Sequence, residues 1–494
     1  MIPRDKRLDN DDRVNASTPR RAIILTSYAN QKSRGKGLGV PGYSYDIVAR
    51  LFAPLLARWG EVIPVPRDAG RIEEAIRDAR RRDLLPLQLS FLPFQDVHLT
   101  PSAPNVVFPF WEYPDVPAEA FDGNAQNNWV TTANRCDLIL TCGPFTADAL
   151  RRGGVRTPIR IVPVPTPSEY FELPPWSAET ATRLDCPAYV FPAPDVPADQ
   201  LWDAADAPEG GSRPSRRSVK RSLFDVLRLT YRHGLKPLLP PILHRSMRHR
   251  TRPMAQGTWQ SYLRICRREE LELSGIVYTS IFSPRDGRKN WDDLLSGFLA
   301  SLRDRADATL VLKLVTADSY WIDRILDYYR VLGLSHRCKI VFITDYLSPQ
   351  QMLNLARAST YYLTTTRAEG CCLPLSNYLA AGRPGVTPCH SAIGDYFTPQ
   401  MGFVIASGLE RAIWPQDRRI RFKTTWNRLI WPSVIEQVRN SYELARGDRS
   451  AYDALAASCR NGMFQWVGVE SVWPRLRDAL NLLETRRSYA EQAA

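Results

Sequence analysis

The stretch that most constrains this chain runs from Tyr361 to Val386. An apolar run, Tyr361-Tyr362-Leu363, leads into a polar loop that reaches a carboxylate, Glu369. A segment rich in Leu and Ala follows, then Gly382-Arg383-Pro384 and a second apolar run. Strand, loop, helix, turn and strand in that order make half of a doubly wound α/β sheet. They also place an acid beyond the carboxyl end of a strand, where open parallel sheets bind their ligands.

Length and composition allow that unit to occur twice. A chain of 494 residues exceeds one ordinary core, and an apolar content of 44% is ample for two packed α/β domains. No run reaches the ~18 uninterrupted apolar residues of a spanning helix. Met1-Ile2-Pro3-Arg4-Asp5-Lys6-Arg7 has no apolar segment behind it, so a secretory signal is not expected and the chain reads as cytoplasmic. Nine scattered cysteines without a Cys-x-x-Cys pair suit a reducing compartment and argue against a disulfide framework or a zinc site. Three of the six histidines lie in one basic stretch, which leaves little for a histidine-built metal centre. Asp9-Asn10-Asp11 spells an Asp-x-Asp, but it precedes any strand, and it is rejected as a metal site.

Along the chain, residues 1–20 read as a disordered tail. Ala22 to Tyr28 is a short buried strand, followed by a loop with Gly35, Gly37, Gly39 and Gly42 and a helical pattern from Tyr45 to Trp59. Gly37 and Gly39 are candidates for phosphate contact, although the loop lacks a clean Gly-x-Gly-x-x-Gly. Further strands are predicted from Leu87 to Phe91, Asn105 to Phe110, Leu138 to Leu140 and Ile159 to Val164, giving a Rossmann-like first domain over 21–173. Over 174–262, prolines, a Gly210-Gly211 pair and basic residues break the pattern, which reads as an inserted linker. Strand–helix alternation resumes with Ile276 to Phe282 and defines a second domain over 263–464, closed by helices over 465–494.

Charge is concentrated in the linker. The net charge is +13, and the span from Arg213 to Arg252, with twelve Lys or Arg and one acid, carries +11 of it. Helical spacing groups Leu223, Val226, Leu227, Thr230 and Tyr231 opposite Arg217, Arg221, Arg228 and Arg232. A basic amphipathic helix over 213–252 suits an anionic membrane surface, such as the inner face of the cell membrane. A surface helix packed on the second domain is the alternative. Aromatic interleaving is limited to Phe224 and Tyr231, so nucleic acid is not an expected partner.

Glu369-Gly370-Cys371-Cys372-Leu373-Pro374, with Ala380-Ala381-Gly382-x-Pro384 behind it, resembles the Glu-Gly-Phe-Gly-Leu-Pro signature of retaining GT-B glycosyltransferases of the family 4-like group. Arg135-Cys136-Asp137-Leu138 and Val162-Pro163-Val164-Pro165 resemble the segments that end that family's amino-terminal domain. The resemblance implies two Rossmann-like, doubly wound domains facing across a cleft. It implies metal-independent hexosyl transfer from a nucleotide-sugar donor to a sugar or lipid-linked acceptor, in polysaccharide or glycolipid biosynthesis, with no cofactor beyond the donor. Carried over residue by residue, Glu369 contacts the transferred sugar. Gly370, Cys371, Cys372 and Leu373 supply backbone to sugar and phosphate. Arg288 and Lys289 neutralise the leaving diphosphate, with Asn290 beside them as a donor contact. Asn377 stands where a second Glu binds the ribose, and Ser283 stands where a further Arg helps hold the diphosphate, with Arg285 a substitute. An amide still bonds a ribose hydroxyl. These departures keep open a degenerate GT-B protein that binds a nucleotide-sugar or a membrane partner without turnover, and an epimerase or phosphorylase on the same fold.

Each candidate has a plainer alternative. Arg288-Lys289 precedes a helix, where cations are misplaced unless they serve an anion. Glu369 is otherwise a loop acid outside any core. Glu112, in Phe110-Trp111-Glu112-Tyr113, follows a first-domain strand where many family members carry His. It is either catalytic or acceptor-orienting, or it caps Asn128 and other nearby loop groups. His98 is a fallback with a structural alternative. Cys371 and Cys372 are reactive thiols or loop-to-helix packing.

Overall fold

The computed structural model describes residues 20–28, 41–192, 262–414, 417 and 419–492, with side chains of the last helix as far as 483. Gly37, Gly39, the Asp9-Asn10-Asp11 triplet and the basic span 213–252 lie outside the described residues.

The first domain is one parallel sheet of β1 (Arg21–Thr26), β2 (Glu61–Val65), β3 (Leu85–Ser90), β4 (Asn105–Val107), β5 (Leu138–Thr141) and β6 (Ile159–Ile161), in the order β2-β1-β3-β4-β5-β6. Its helices are α1 (Pro41–Trp59), α2 (Ala69–Arg81), α3 (Trp129–Ala133) and α4 (Pro144–Arg152). Parallel strands covered on both faces read as continuous apolar runs, as Ala22 to Leu25 and Leu138 to Leu140 do. The sequence missed β2, an edge strand with no fully buried residue and a proline at position 64, which weakens the strand pattern. Strand β4 stops at Val107, short of the Phe110 expected, and the freed residues become the loop that carries Glu112.

A short helix, α5 (Ser168–Phe171), leads to the second domain. Its strands are β7 (Thr182–Phe191), β8 (Arg267–Leu273), β9 (Ile276–Phe282), β10 (Ala308–Leu314), β11 (Lys339–Ile343), β12 (Tyr361–Leu363), β13 (Gly385–Pro388) and β14 (Gly402–Ile405), in the order β14-β13-β12-β9-β10-β11-β7-β8. The run from β14 to β11 is parallel, whereas β7 and β8 pair antiparallel at the edge. Thr182–Phe191 therefore belongs to the second sheet, although it falls within the span read as linker. Helices α6 (Trp291–Leu302), α7 (Ser319–Leu332), α8 (Pro349–Ala358) and α9 (Leu373–Ala380) cover the sheet. Ser348 opens α8 with a capping box: its hydroxyl accepts from the Gln351 amide, and Gln351 Oε1 accepts from the Ser348 amide.

After β14 the chain forms a two-stranded antiparallel hairpin, β15 (Ser407–Ile413) and β16 (Lys423–Leu429), separate from both large sheets. Helices α10 (Trp431–Gly447), α11 (Arg449–Val467) and α12 (Val469–Gln492) follow. Helix α12 returns to the first domain, burying Val472, Leu476 and Leu480 in the same cluster as Val48, Phe52 and Leu89. Among the described residues no helix is long and apolar enough to cross a membrane.

Candidate functional site

Beyond β9 the chain turns through Ser283 to Asp286 into one 3-10 turn, Gly287–Lys289, capped by Asp286, whose carboxylate accepts from the Arg288 amide. Asn290 then adopts a left-handed backbone, φ 51°, a conformation that Asn tolerates better than most side chains. Its own amide is used internally: Nδ2 donates to Asp293 and to the Thr365 carbonyl, and Oδ1 accepts from Arg367. At 2% exposure Asn290 pins two loops together.

The second of those loops follows β12. Thr365 Oγ1 donates to the Asn290 carbonyl and the Arg367 amide donates to the Arg288 carbonyl, which brings Glu369 onto the Arg288-Lys289 pair. Glu369 Oε1 accepts from Lys289 Nζ at 2.5 Å, and Oε2 from Arg288 Nη1 at 3.1 Å. The carboxylate expected outside any core is only 4% exposed. Two cations compensate the buried charge. Burial pushes its pKa up, but the Lys289 ammonium and the Arg288 guanidinium outweigh that and hold it below the usual carboxylate range.

Arg288 is shared among several acceptors. Nη1 also donates to the Ala368 carbonyl at 2.7 Å, while Nε lies 2.8 Å from Asp286 Oδ2 and 3.2 Å from Glu112 Oε1. Neither carboxylate receives a well-directed hydrogen bond from Nε, so both approaches are Coulombic. Burial disfavours the charged guanidinium, yet Asp286, Glu112 and Glu369 together keep its pKa raised.

Glu112 comes from the first domain, in the loop after β4. Asn128 needs no help from it, because its own side chain caps α3 by accepting from the Thr131 amide. The capping alternative for Glu112 is thus replaced by an ion pair across the domain interface. Burial raises the Glu112 carboxyl and Arg288 only partly reverses that.

The signature loop is held backbone to backbone. A Cβ on Gly370 would come within 3.3 Å of the Trp111 nitrogen, and Cys142 Sγ donates to the Gly370 carbonyl at 2.9 Å. Cys372 precedes α9 with φ 58°, and Leu373 packs on the first-domain core. A hydrogen bond with Cys142, then burial, raises the Cys371 thiol, and burial raises that of Cys372, so both are neutral packing groups. Asn377 Oδ1 accepts from Thr166 Oγ1 at 3.3 Å at the domain seam. Arg285 is exposed, and Ser283 Oγ is buried without a hydrogen-bond partner. His98 contributes its backbone carbonyl to Gln88, a structural role.

Sequence reasoning missed Asp286, His390, Ser391 and Asp395. Ser391 Oγ accepts from the Glu369 amide at 2.9 Å. Burial lowers His390 to about 4, so a neutral imidazole adjoins that serine. Asp395 accepts from the Phe145 amide at the start of α4, joining the two domains. Only Asp286 had a local signal, an acid just ahead of the Arg-Lys pair. The other three follow β13 without a motif. A small crevice at the domain seam is lined by Cys142, Cys371, Asp395 and Tyr396.

No protein-family profile and no curated protein matches the chain. Among solved structures, sucrose-phosphate synthase from Thermosynechococcus elongatus aligns over 94% of this chain and 100% of its own, at 11% identity and a TM-score of 0.52. The fold is GT-B. HepE from Anabaena, in complex with UDP and glucose, aligns over 93% of this chain and 99% of its own, at 11% identity and a TM-score of 0.47. The pneumococcal O-GlcNAc transferase GtfA, with UDP and GlcNAc, covers 84% of this chain and 60% of its own, at 10% identity and a TM-score of 0.44. In GT-B terms, Glu369, Arg288 and Lys289 sit beyond the carboxyl ends of β12 and β9 and face the other domain. Cations and a carboxylate so placed suit an anion joined to a hydroxyl-bearing group.

Proposed function

We propose that the chain is a retaining, metal-independent hexosyltransferase of the family 4-like kind, moving a sugar from a nucleotide-sugar donor to an acceptor in polysaccharide or glycolipid assembly. The observation that carries this reading is Glu369, buried and held ionised between Arg288 and Lys289 at the mouth of the second sheet. In this mechanism Arg288 and Lys289 stabilise the charge that develops on the departing diphosphate, a task for preorganised cations in a closed cleft. Glu369 accepts from sugar hydroxyls and fixes the sugar's orientation. Glu112, reaching over from the first domain, orients the acceptor. The domains part to admit the donor and close over it. The basic span 213–252 holds the enzyme at an anionic membrane surface, on the inner face of the cell membrane, near a lipid-linked acceptor.

A second reading, a GT-B protein that binds a nucleotide-sugar without turnover, draws on two features. Arg288 already faces three carboxylates, and Asn377 replaces the ribose-binding acid. One experiment separates the two. A panel of nucleotide-sugars is screened by thermal shift, and nucleotide release is then measured for the donors that stabilise the protein. Release that disappears in Glu369→Gln supports transfer; stabilisation without release supports the binding protein; no stabilisation by any donor overturns both.

A further inference from the structure

The hairpin β15–β16 has two unlike faces. Its inward face seals the first domain: Thr424 Oγ1 donates to Asp115, and Trp414 packs edge-on against Trp111, ring centroids 5.4 Å apart. Both of its acids are engaged, Glu410 accepting from Trp426 Nε1 and Asp417 lying buried against Arg419. The outward face carries Leu409, Arg411 and Ile413 on one strand and Lys423 on the other, with Ile420 and Arg421 in the connecting turn.

That face is unusual in what it leaves in water. Among the described residues eleven large apolar side chains are exposed, and three of them, Leu409, Ile413 and Ile420, fall on this face and its turn. Singly scattered apolar side chains need no explanation, but a concentration rimmed by cations does. Leu409 is 79% exposed and Ile420 is 63% exposed. Ile420 also holds φ at 57°, a costly conformation for a β-branched residue that a glycine or asparagine would adopt with less strain. Arg411, Arg421 and Lys423 have no ion-pair partner among the described residues.

The geometry points to an interfacial docking surface on β15–β16, whose occupant is an anionic lipid bilayer. Leu409, Ile413 and Ile420 enter the headgroup boundary while Arg411, Arg421 and Lys423 meet lipid phosphates, the pairing by which amphipathic elements lie on such surfaces. A solvated hairpin has no use for exposed Ile and Leu, and a neutral apolar partner would leave the cations unmatched. Because the inward face is fastened beside Trp111 and Glu112, docking sets the position of the cleft over the membrane. The inference does not require catalysis, and its test reads lipid binding alone.

The full chain is sedimented with phosphatidylcholine vesicles, with and without phosphatidylglycerol, and hydrogen exchange is followed in the same mixtures. Expected is binding to the anionic vesicles only, with new protection over 407–430. The combined Leu409→Ser, Ile413→Ser and Ile420→Asn variant should bind roughly tenfold more weakly or worse, since each apolar side chain contributes separately. Asn suits the left-handed position, so the fold is retained. Protection confined to 213–252, unchanged binding of the triple variant, equal binding to neutral vesicles, or no binding overturns the inference. So does concentration-dependent dimerisation lost in the variant without any vesicle effect, which would make a second copy the occupant.

Discussion

Glu112 of the first domain and Arg288 of the second meet across the domain interface, 3.2 Å apart, with side chains only 17% and 15% exposed. The guanidinium that would hold a diphosphate is thereby engaged by an acid from the opposite domain. On the proposed function, opening the cleft would separate the pair and a donor phosphate would replace Glu112 as its counter-charge.

Replacing Glu112 by Gln should therefore raise affinity for nucleoside diphosphate while lowering transfer. Removing one competing Coulombic partner of the guanidinium should tighten diphosphate binding by roughly threefold to tenfold. Calorimetric titration with UDP and GDP, beside turnover, checks this. Weaker diphosphate binding would show that Glu112 supports the donor site and does not compete with it.

Arg288→Ala and Lys289→Ala should each weaken diphosphate binding by roughly 1.5–3 kcal/mol, the worth of one charge-assisted contact. Among the described residues Lys289 ion-pairs with Glu369 alone, whereas Arg288 also pairs with Glu112 and Asp286. The Arg288 variant should accordingly lose more thermal stability. Unaltered product affinity in both variants would remove these residues from the donor site.

Glu369 has two roles that different substitutions separate. Glu369→Ala leaves the partly buried Lys289 without its carboxylate, a loss of about 1–3 kcal/mol in stability. Glu369→Gln keeps an acceptor for both cations and should melt closer to the parent, yet lose most turnover. Denaturant unfolding and donor turnover on both variants check this. A Gln variant with parental turnover would make the acid purely structural.

Asp395 gives the domain seam a pH dependence. Burial pushes its carboxyl up to about 7, and the Phe145 amide pulls the other way. An unfolded Asp titrates near 3.9, so between about pH 4 and pH 7 the folded chain keeps a proton that the unfolded chain has released. The stabilising contribution is full below about pH 4 and is lost as pH rises through about 7. Asp395→Asn should therefore lose less thermal stability than the parent between about pH 5 and pH 8. Parallel melting curves across that range would contradict it. Gly143→Ala, whose Cβ would lie 2.0 Å from Asp395 Oδ2, should destabilise at every pH by about 1–3 kcal/mol.

Much of the fold was legible in the sequence because its code is local. Ile276 to Phe282 is a run of seven apolar or small residues, all buried, and it forms β9 with the bounds expected. The Ser348-Pro349-Gln350-Gln351 start of α8 is equally self-contained. The order of residues around Glu369, and of Arg288-Lys289 between a strand and a helix, marked them as site candidates by motif and by electrostatic misfit.

Other features had no local trace. Strand β7 lies in a span whose prolines and charges read as linker, and it becomes strand because β11 and β8 offer partners on its two sides. Hairpin β15–β16 alternates too weakly to announce itself, since its inward residues face another domain and not a core of its own. The Asn290 side chain bonds Thr365 and Arg367 of a loop far along the chain, partners that its sequence neighbours do not show. The sequence by itself determined the alternation of elements and the chemical types available at the strand ends. Tertiary structure alone decided that Glu112 would face Arg288 and that Glu369 would be buried. Both depend on charges brought together from different domains or distant loops, and neither the partner nor the loss of water can be read from either residue's neighbours in sequence.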